Sequence, residues 1–504
     1  MKNILEYLER TAARLPGHVA VDDGSICLTW KELLDLSKRL GTSLCGMTGR
    51  GKPVVILMEK SAVTLAVMFG AVYAGCFYVM VDPAQPAARM QKMFEVLQPE
   101  LVVTDKEHEK RLNQVNYKKS RFLMKNVAWG GIDGKKLQAI RQKSEKTALL
   151  YGLFTSGSTG EPKLIVVSHQ AAAGFVAHFV NIFGITRDDR IGNQAPFDFD
   201  VSVKDIYASM MTGATLVLIP KELFSVPPVL LDYLCEKRIT ALIWAVSALS
   251  LVAVLKGLDY KVPSSVKKVL FSGEVMPVKQ LRMWQEALPE AMFVNLYGPT
   301  EITCNCTYYP VKRRFQDGEK LPIGRAFPGR EVFLLDEEGK EVAAPGGMGE
   351  ICVAGEYLSE GYYRNPEETK KRFMGDSLRK RKYQKCYRTG DLGYYGEDGE
   401  LYFSGRKDFQ IKHMGHRIEL EEIEQALERI DGLERSCCLM DSHKNRLVAF
   451  YLGEASPEQI REYLKGQVPS YMIPHRMIRT NKMPLNKNGK MDRAYFRYQL
   501  EAGV

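Results

Sequence analysis

Short apolar runs recur along this chain, each long enough for a buried strand and far too short for a membrane helix. PVVILM (53–58), ATLVLIP (214–220), TALIWAV (240–246) and KKVLFSG (267–273) are continuous rather than alternating in character. That is the signature of strands covered on both faces, as in parallel α/β sheets. Between them, SAVTLAVMFGAVYAG (61–75) and VPPVLLDYLCEKR (226–238) read as helices. The pattern therefore predicts an α/β protein of layered subdomains. Around 322–363 it changes: VFLLDEEGKEV (332–342) and GEICVAGEYLSEGYY (349–363) are strands with glycine turns, a β-rich subdomain. After Arg406 it changes again. In GHRIELEEIEQALERIDGLE (415–434), Ile423, Leu427 and Ile430 recur at helical spacing, and Gly432 offers a stop. The strands SCCLMD and LVAFYLG and the helix SPEQIREYLKGQV follow. This predicts a large domain at 1–406, a hinge at 407–408 and a small α+β domain at 409–504.

The 504 residues suffice for two or more cores. The start, MKNILEYLERTAARLPG, reads as an amphipathic helix with acidic residues rather than a signal peptide, which points to the cytoplasm. No apolar run reaches the ~18 residues of a membrane span. The ten cysteines lack C-x-x-C spacing and a histidine cluster, so reduced core thiols are read in place of zinc ligands. The net charge of +10 comes without a nucleic-acid-binding motif. Its densest basic run, LRKRKYQKCYR (378–388), suits an acidic macromolecular partner as well as a polynucleotide.

TSGSTGEPK (155–163) is the strongest local signal. A Walker loop needs lysine directly after glycine and a hydroxyl after the lysine. Here Glu161 and Pro162 separate Gly160 from Lys163, and Leu164 takes the hydroxyl position. Backbone N–H groups, hydroxyls and a lysine are still an anion-binding set. The same residues also describe a flexible Ser/Gly turn.

NLYGPTE (295–301), YRTGDLG (387–393), GRKDFQIK (405–412) and PLNKNGKMDR (484–493) follow that loop in order. Together the five motifs resemble the adenylate-forming superfamily of acyl- and aryl-CoA synthetases, luciferases and nonribosomal peptide synthetase adenylation domains. The resemblance extends from LTWKEL (28–33) through YAGCFYVMVDP (73–83) to the NGK motif at 488–490. FQIK and GHRIELEEIE look most like stand-alone amino-acid-activating members, D-alanine:carrier-protein ligases among them.

The resemblance implies ATP and Mg²⁺, an acyl-adenylate and a thiol acceptor. It places Thr155, Ser156, Gly157, Ser158, Thr159, Gly160 and Lys163 around the β- and γ-phosphates. Gly273, Glu274, Asn295, Tyr297 and Gly298 belong to the nucleotide site, with Tyr297 stacking on adenine. Thr300 is a phosphate contact, Glu301 the Mg²⁺ ligand, Asp391 the ribose carboxylate and Arg406 a second nucleotide contact. Lys490 is the mobile lysine that bridges carboxylate and α-phosphate, and Asp408 is the hinge. Lys412 and Gly415 face the site in the thiol-transfer state. Leu164 stands where glycine is common, and Met414 where arginine or histidine is common.

Asp200 aligns with the aspartate that receives a substrate α-ammonium. A carboxylate in an otherwise apolar pocket needs such a cation. By the same alignment Val201, Lys204, Ile243, Leu270, Ser272, Leu296, Cys304 and Asn305 line the pocket. Val201, Leu270, Ser272 and Leu296 suit a small or polar amino acid such as serine, cysteine or alanine. An acidic substrate becomes attractive if Lys204 points inward, whereas a lysine snorkelling outward says nothing. The chain ends soon after the NGK motif, which implies that the thiol sits on a separate phosphopantetheinylated carrier protein, whose approach a basic surplus favours. No nucleic acid and no membrane span are expected. A CoA ligase for a non-amino acid and a degenerate nucleotide-binding regulatory module remain as alternatives.

Overall fold

The apolar runs become interior strands of two sheets. The computed structural model describes residues 3–124, 130–157, 160–375, 383, 385–441, 444–485 and 491–502. One seven-stranded sheet has the order Gly361–Tyr362, Lys163–Ser168, Leu149–Thr155, Phe77–Met80, Pro53–Leu57, Leu101–Thr104 and Ser120–Leu123. A nine-stranded sheet carries Met292–Tyr297, Lys268–Ser272, Ala241–Ala245, Arg190–Asn193 and Thr215–Leu218 at its centre, all parallel. Helices Ala62–Tyr73, His169–Phe183 and Val201–Thr212 share one core with residues from both sheets, Val54 and Ile191 among them. Ala62–Tyr73 is buried all round, which accounts for its uniformly apolar sequence. Gly70 lets it lie against the helix Trp30–Leu44, because a Cβ there would sit 2.6 Å from the Leu40 Cβ.

The β-rich region forms a six-stranded antiparallel sheet around Arg330–Leu335, Met348–Gly355 and Cys386–Tyr395, with Leu401–Arg406 paired to the last. Beyond Arg406 comes the hairpin Gln410–His413 and His416–Glu419. Helices Leu420–Leu427, Pro457–Lys465 and Arg493–Glu501 follow, with a three-stranded sheet of Leu433–Asp441, Arg446–Gly453 and Arg476–Arg479. The helical stretch expected over 415–434 is thus shorter. Residues 416–419 are strand because they pair with 410–413, and Ile430 lies past the helix end in a turn before Gly432 (φ 82°). Among the described residues no helix is long and apolar enough to cross a membrane.

Leu164, unexplained by sequence, is a core residue. It lies opposite Phe154 in the antiparallel pair of Leu149–Thr155 with Lys163–Ser168 and is 1% exposed. It packs over Gly152, where a Cβ would stand 3.0 Å from a Leu164 methyl and 3.1 Å from Val79. The bulk at 164 is matched by its absence at 152. Leu164→Ala is expected to cost about 2–5 kcal/mol, read as a lower urea midpoint for the large domain.

Candidate active site

Carboxyl ends of parallel strands leave a crevice where loops converge, and the predicted site residues gather there. Thr155 ends its strand paired in register with Lys163, which opens the next one. Gly160 takes φ 71°, and its N–H donates to the Gly157 carbonyl at 2.9 Å. Lys163 Nζ pairs with Glu368 Oε1 at 2.8 Å and lies 5.8 Å from the Tyr362 ring centre. Ser156 Oγ donates to the Arg417 carbonyl at 2.8 Å and accepts the Glu419 N–H at 3.1 Å. Ser158, Thr159 and Lys490 lie outside the described residues.

The strand Met292–Tyr297 runs into a turn that carries the next group. Gly298 is forced by close approach, since a Cβ would come 2.7 Å from both Asn305 Cα and the Cys304 carbonyl. Thr303 and Cys304 then hold φ of 60° and 68°, conformations that cost non-glycine residues about 1–3 kcal/mol. Asn295 Nδ2 donates to the Pro322 carbonyl at 2.7 Å. The Tyr297 hydroxyl donates to Asp391 Oδ2 at 2.5 Å, and Arg406 holds the other Asp391 oxygen. Arg406 also grips Asp408 at 2.5 Å, at the segment expected to hinge. Glu301 accepts from the Tyr362 hydroxyl at 2.7 Å and from Arg417 at 2.8 and 2.9 Å. Burial alone would push the Glu301 carboxyl up, but Arg417 and Tyr362 outweigh it and hold it below its ordinary value.

The hairpin 410–419 reaches into this group. Met414 and Gly415, with φ of 52° and 81°, form a two-residue turn of the primed kind that suits hairpin twist. Its strands pair Lys412 with Arg417. Lys412 is half-buried with its Nζ 5.6 Å from the Tyr297 ring centre, and loss of solvent around the ammonium pushes it below the usual lysine range. The Gly415 N–H donates to Glu274 Oε1 at 2.5 Å, next to Gly273 at φ 99°. Behind the hairpin, a buried Arg89–Glu422 pair joins helix Ala87–Leu97 to helix Leu420–Leu427, and Gln425 packs on Gly160.

Asp200 sits at the start of helix Val201–Thr212 and accepts from the Thr300 hydroxyl at 2.9 Å. Burial is the largest influence on its carboxyl and raises it. Cys304 Sγ contacts the Asp200 carbonyl at 3.4 Å. One turn along, Lys204 does point inward: its Nζ donates to Asn305 Oδ1 at 2.9 Å and Ser272 Oγ at 3.3 Å. Val201, Ile243, Leu270 and Leu296 are buried. A cavity of about 60 Å³ adjoins Asp200 and is lined also by Asp198, Phe199, His416, Arg417 and Tyr471. The His416 ring stacks on Tyr471 at 3.7 Å.

The arrangement offers cations and hydroxyls beside the half-buried Asp200 carboxylate, a set able to hold an anionic polyphosphate next to an ammonium. Glu301 keeps the ionised oxygens that a hard cation such as Mg²⁺ needs. Both are engaged by Arg417, so Glu301 fits the ion only with the hairpin withdrawn. Sequence reasoning missed Arg417, Glu368, Tyr362 and Arg89. The two-residue Met414–Gly415 turn, flanked by Lys412 and Arg417, was a legible hairpin signal; nothing local marks Glu368.

A family model described as "AMP-binding enzyme" matches residues 8–363, and one described as "AMP-binding enzyme C-terminal domain" matches 422–490. The D-alanine--D-alanyl carrier protein ligase of Staphylococcus haemolyticus is 30% identical over 98% of this chain and 98% of its own length. Surfactin synthase subunit 1 of Bacillus subtilis is 31% identical over 98% of this chain, which spans only 14% of that relative. Holo-PA1221, a solved "NRPS protein containing adenylation and PCP domains", superposes with a TM-score of 0.84 at 25% identity, covering 99% of this chain and 84% of that one.

Removing the Arg417 side chain strands a buried carboxylate, a loss worth about 3–5 kcal/mol. Arg417→Ala is expected to loosen hairpin docking, measured as faster proteolysis at 407–409. The Asp198 carboxyl is pushed from 3.8 up to about 7 by burial and then by Asp82. The folded state keeps that proton between these limits, where the unfolded chain has lost it, so stability falls as pH rises through the window. Asp198→Asn should flatten this slope in thermal melts from pH 4 to 8.

Proposed function

This chain belongs to the AMP-binding enzyme family, and from that premise we propose that it activates an amino acid and passes it to a carrier protein. In the first step the amino acid carboxylate attacks the α-phosphorus of ATP. An aminoacyl-adenylate forms and pyrophosphate leaves. In the second, the phosphopantetheine thiol of a carrier protein attacks the acyl carbonyl. A thioester forms, AMP leaves, and the thiol proton passes to solvent.

The observation that carries this reading is Asp200, a half-buried carboxylate that accepts the Thr300 hydroxyl and forms no salt bridge among the described residues, at the edge of the phosphate-side cluster. A substrate α-ammonium supplies the cation it lacks. Thr300 joins the two regions, because its hydroxyl holds Asp200 and its neighbour Glu301 lies among the cations. Lys163, Ser156 and the loop N–H groups would bind the leaving pyrophosphate, and Asp391 the ribose hydroxyls. Mg²⁺, held at Glu301, would neutralise phosphate charge. Lys490 would bridge carboxylate and α-phosphate, as the motif implies.

The docked hairpin supports assigning this arrangement to the second step. Ser156, Lys163 and Glu301 are engaged by protein groups, which suits a site that has already released pyrophosphate. Lys412 and Gly415 would then face the transferring acyl group, with Asp408 as pivot. A carrier-protein acceptor is supported by the D-alanyl carrier ligase and by the adenylation–PCP architecture of PA1221. The cavity beside Asp200, about 60 Å³, favours a small or polar amino acid over a long acyl chain.

Amino-acid-dependent ATP–pyrophosphate exchange tests the reading. Exchange should appear with some amino acids. Asp200→Ala should lower it about 100-fold or more, the scale of breaking one buried charge pair. Exchange with fatty or aromatic acids and with no amino acid would overturn the proposal.

A further inference from the structure

Lys204 is the buried charge that the proposed chemistry leaves unexplained. Its side chain is nearly inaccessible at 1% residue exposure, yet it forms no salt bridge among the described residues. Its two hydrogen-bond acceptors, Asn305 Oδ1 and Ser272 Oγ, are both neutral. The two nearby carboxylates have other engagements. Asp200 is held by Thr300, and one oxygen of Asp205 is held by Asn193 Nδ2 at 2.6 Å, while its other oxygen has no hydrogen-bond partner among the described residues. Both feel the Lys204 charge without meeting it in an ion pair.

A charge count over the loaded pocket sharpens the point; it rests on the amino-acid-activating reading above. The substrate α-ammonium pairs with Asp200. The substrate α-carboxylate becomes a neutral acyl linkage once the adenylate forms. Asp205 is shared between Lys204 and Lys60, so the set is left one anion short, and an uncompensated buried ammonium is strongly disfavoured. A hydroxyl or amide on the substrate would add a hydrogen bond but no charge. A carboxylate would complete the balance, with the Ser272 hydroxyl and the Asn305 amide as neutral donors beside it.

Spacing agrees. Asp200 and Lys204 are four residues apart at the start of one helix, so they project from one face with Cβ atoms about 5–6 Å apart. A ligand that meets both must carry a cationic and an anionic group a few bonds apart, as a short dicarboxylic amino acid does. The apolar neighbours Ile243, Leu270 and Leu296 can flank its methylenes.

We infer that Lys204 is a specificity-determining residue, and that the pocket selects an amino acid with an anionic side chain of the aspartate or glutamate class. The test is pyrophosphate exchange by the full chain with aspartate, glutamate, asparagine, glutamine, serine and alanine. An acidic amino acid should exceed its own amide by about 100-fold or more in kcat/KM, in line with a site that rejects analogues lacking a needed polar group. Lys204→Met should abolish that preference, and Lys204→Arg, which keeps the charge, should retain part of it. Calorimetric binding of a non-hydrolysable aspartyl- or glutamyl-adenylate analogue against its amide counterpart gives the same comparison without turnover. Circular dichroism and ATP binding show whether each variant is folded, and the wild-type panel decides the question if neither is. Preferred exchange with alanine, serine or an amide by the wild type overturns the inference and leaves amino acid activation standing. Equal losses for acid and amide in Lys204→Met overturn it as well. Exchange with no amino acid overturns the reading beneath it.

Discussion

The Arg417–Glu301 pair is the contact on which the arrangement of this molecule turns. Two opposite charges deep in the interior are stable only while both are present and well hydrogen-bonded. Glu301 meets the condition with Arg417 on both oxygens and the Tyr362 hydroxyl on one. Because Arg417 belongs to the hairpin and Glu301 to the nine-stranded sheet's loop, satisfying the charge requires the hairpin to sit inside the crevice. The rest of the docking follows from that seat. Lys412, opposite Arg417 in register, is carried under Tyr297, and the turn brings the Gly415 N–H to Glu274.

The same pair makes the phosphate end of the crevice a place of competition. Ser156 spends its hydroxyl on the hairpin backbone, Lys163 its ammonium on Glu368, and Glu301 its oxygens on Arg417. A polyphosphate and its cation would need those groups. Ligand and hairpin therefore bias one equilibrium in opposite directions, and each can shift it only by its differential affinity for the two arrangements. The Arg89–Glu422 pair, further from the crevice, holds the small domain without drawing on the phosphate groups.

Much of this was legible in the sequence because it is local. Continuous apolar runs marked the sheets, since a strand covered on both faces has no polar face to show. The ordered motifs marked the crevice, since turns that place hydroxyls, a lysine and carboxylates at strand ends need those residues at fixed spacing. What escaped was long-range or register-dependent. Glu368 meets Lys163 from 205 residues away. Arg417 acquires its role from a two-residue turn that converts an apparent helix start into a strand. Leu164 looked anomalous only while Gly152, its packing complement across the hairpin, was out of view.

Lys204 illustrates the boundary between the two kinds of information. Its identity was plain in the sequence, but its meaning depended on direction, and direction is set by the helix that begins at Asp200. Pointing outward it would be a solvated surface amine; pointing inward it is a cation surrounded by neutral acceptors. A folded chain that keeps such a group carries a desolvation cost in its empty state. The cost is recovered only when something anionic arrives. Asp200 poses the mirror-image demand for a cation four residues earlier. Two charges of opposite sign, one helical turn apart and not joined in an ion pair, describe a ligand that carries both.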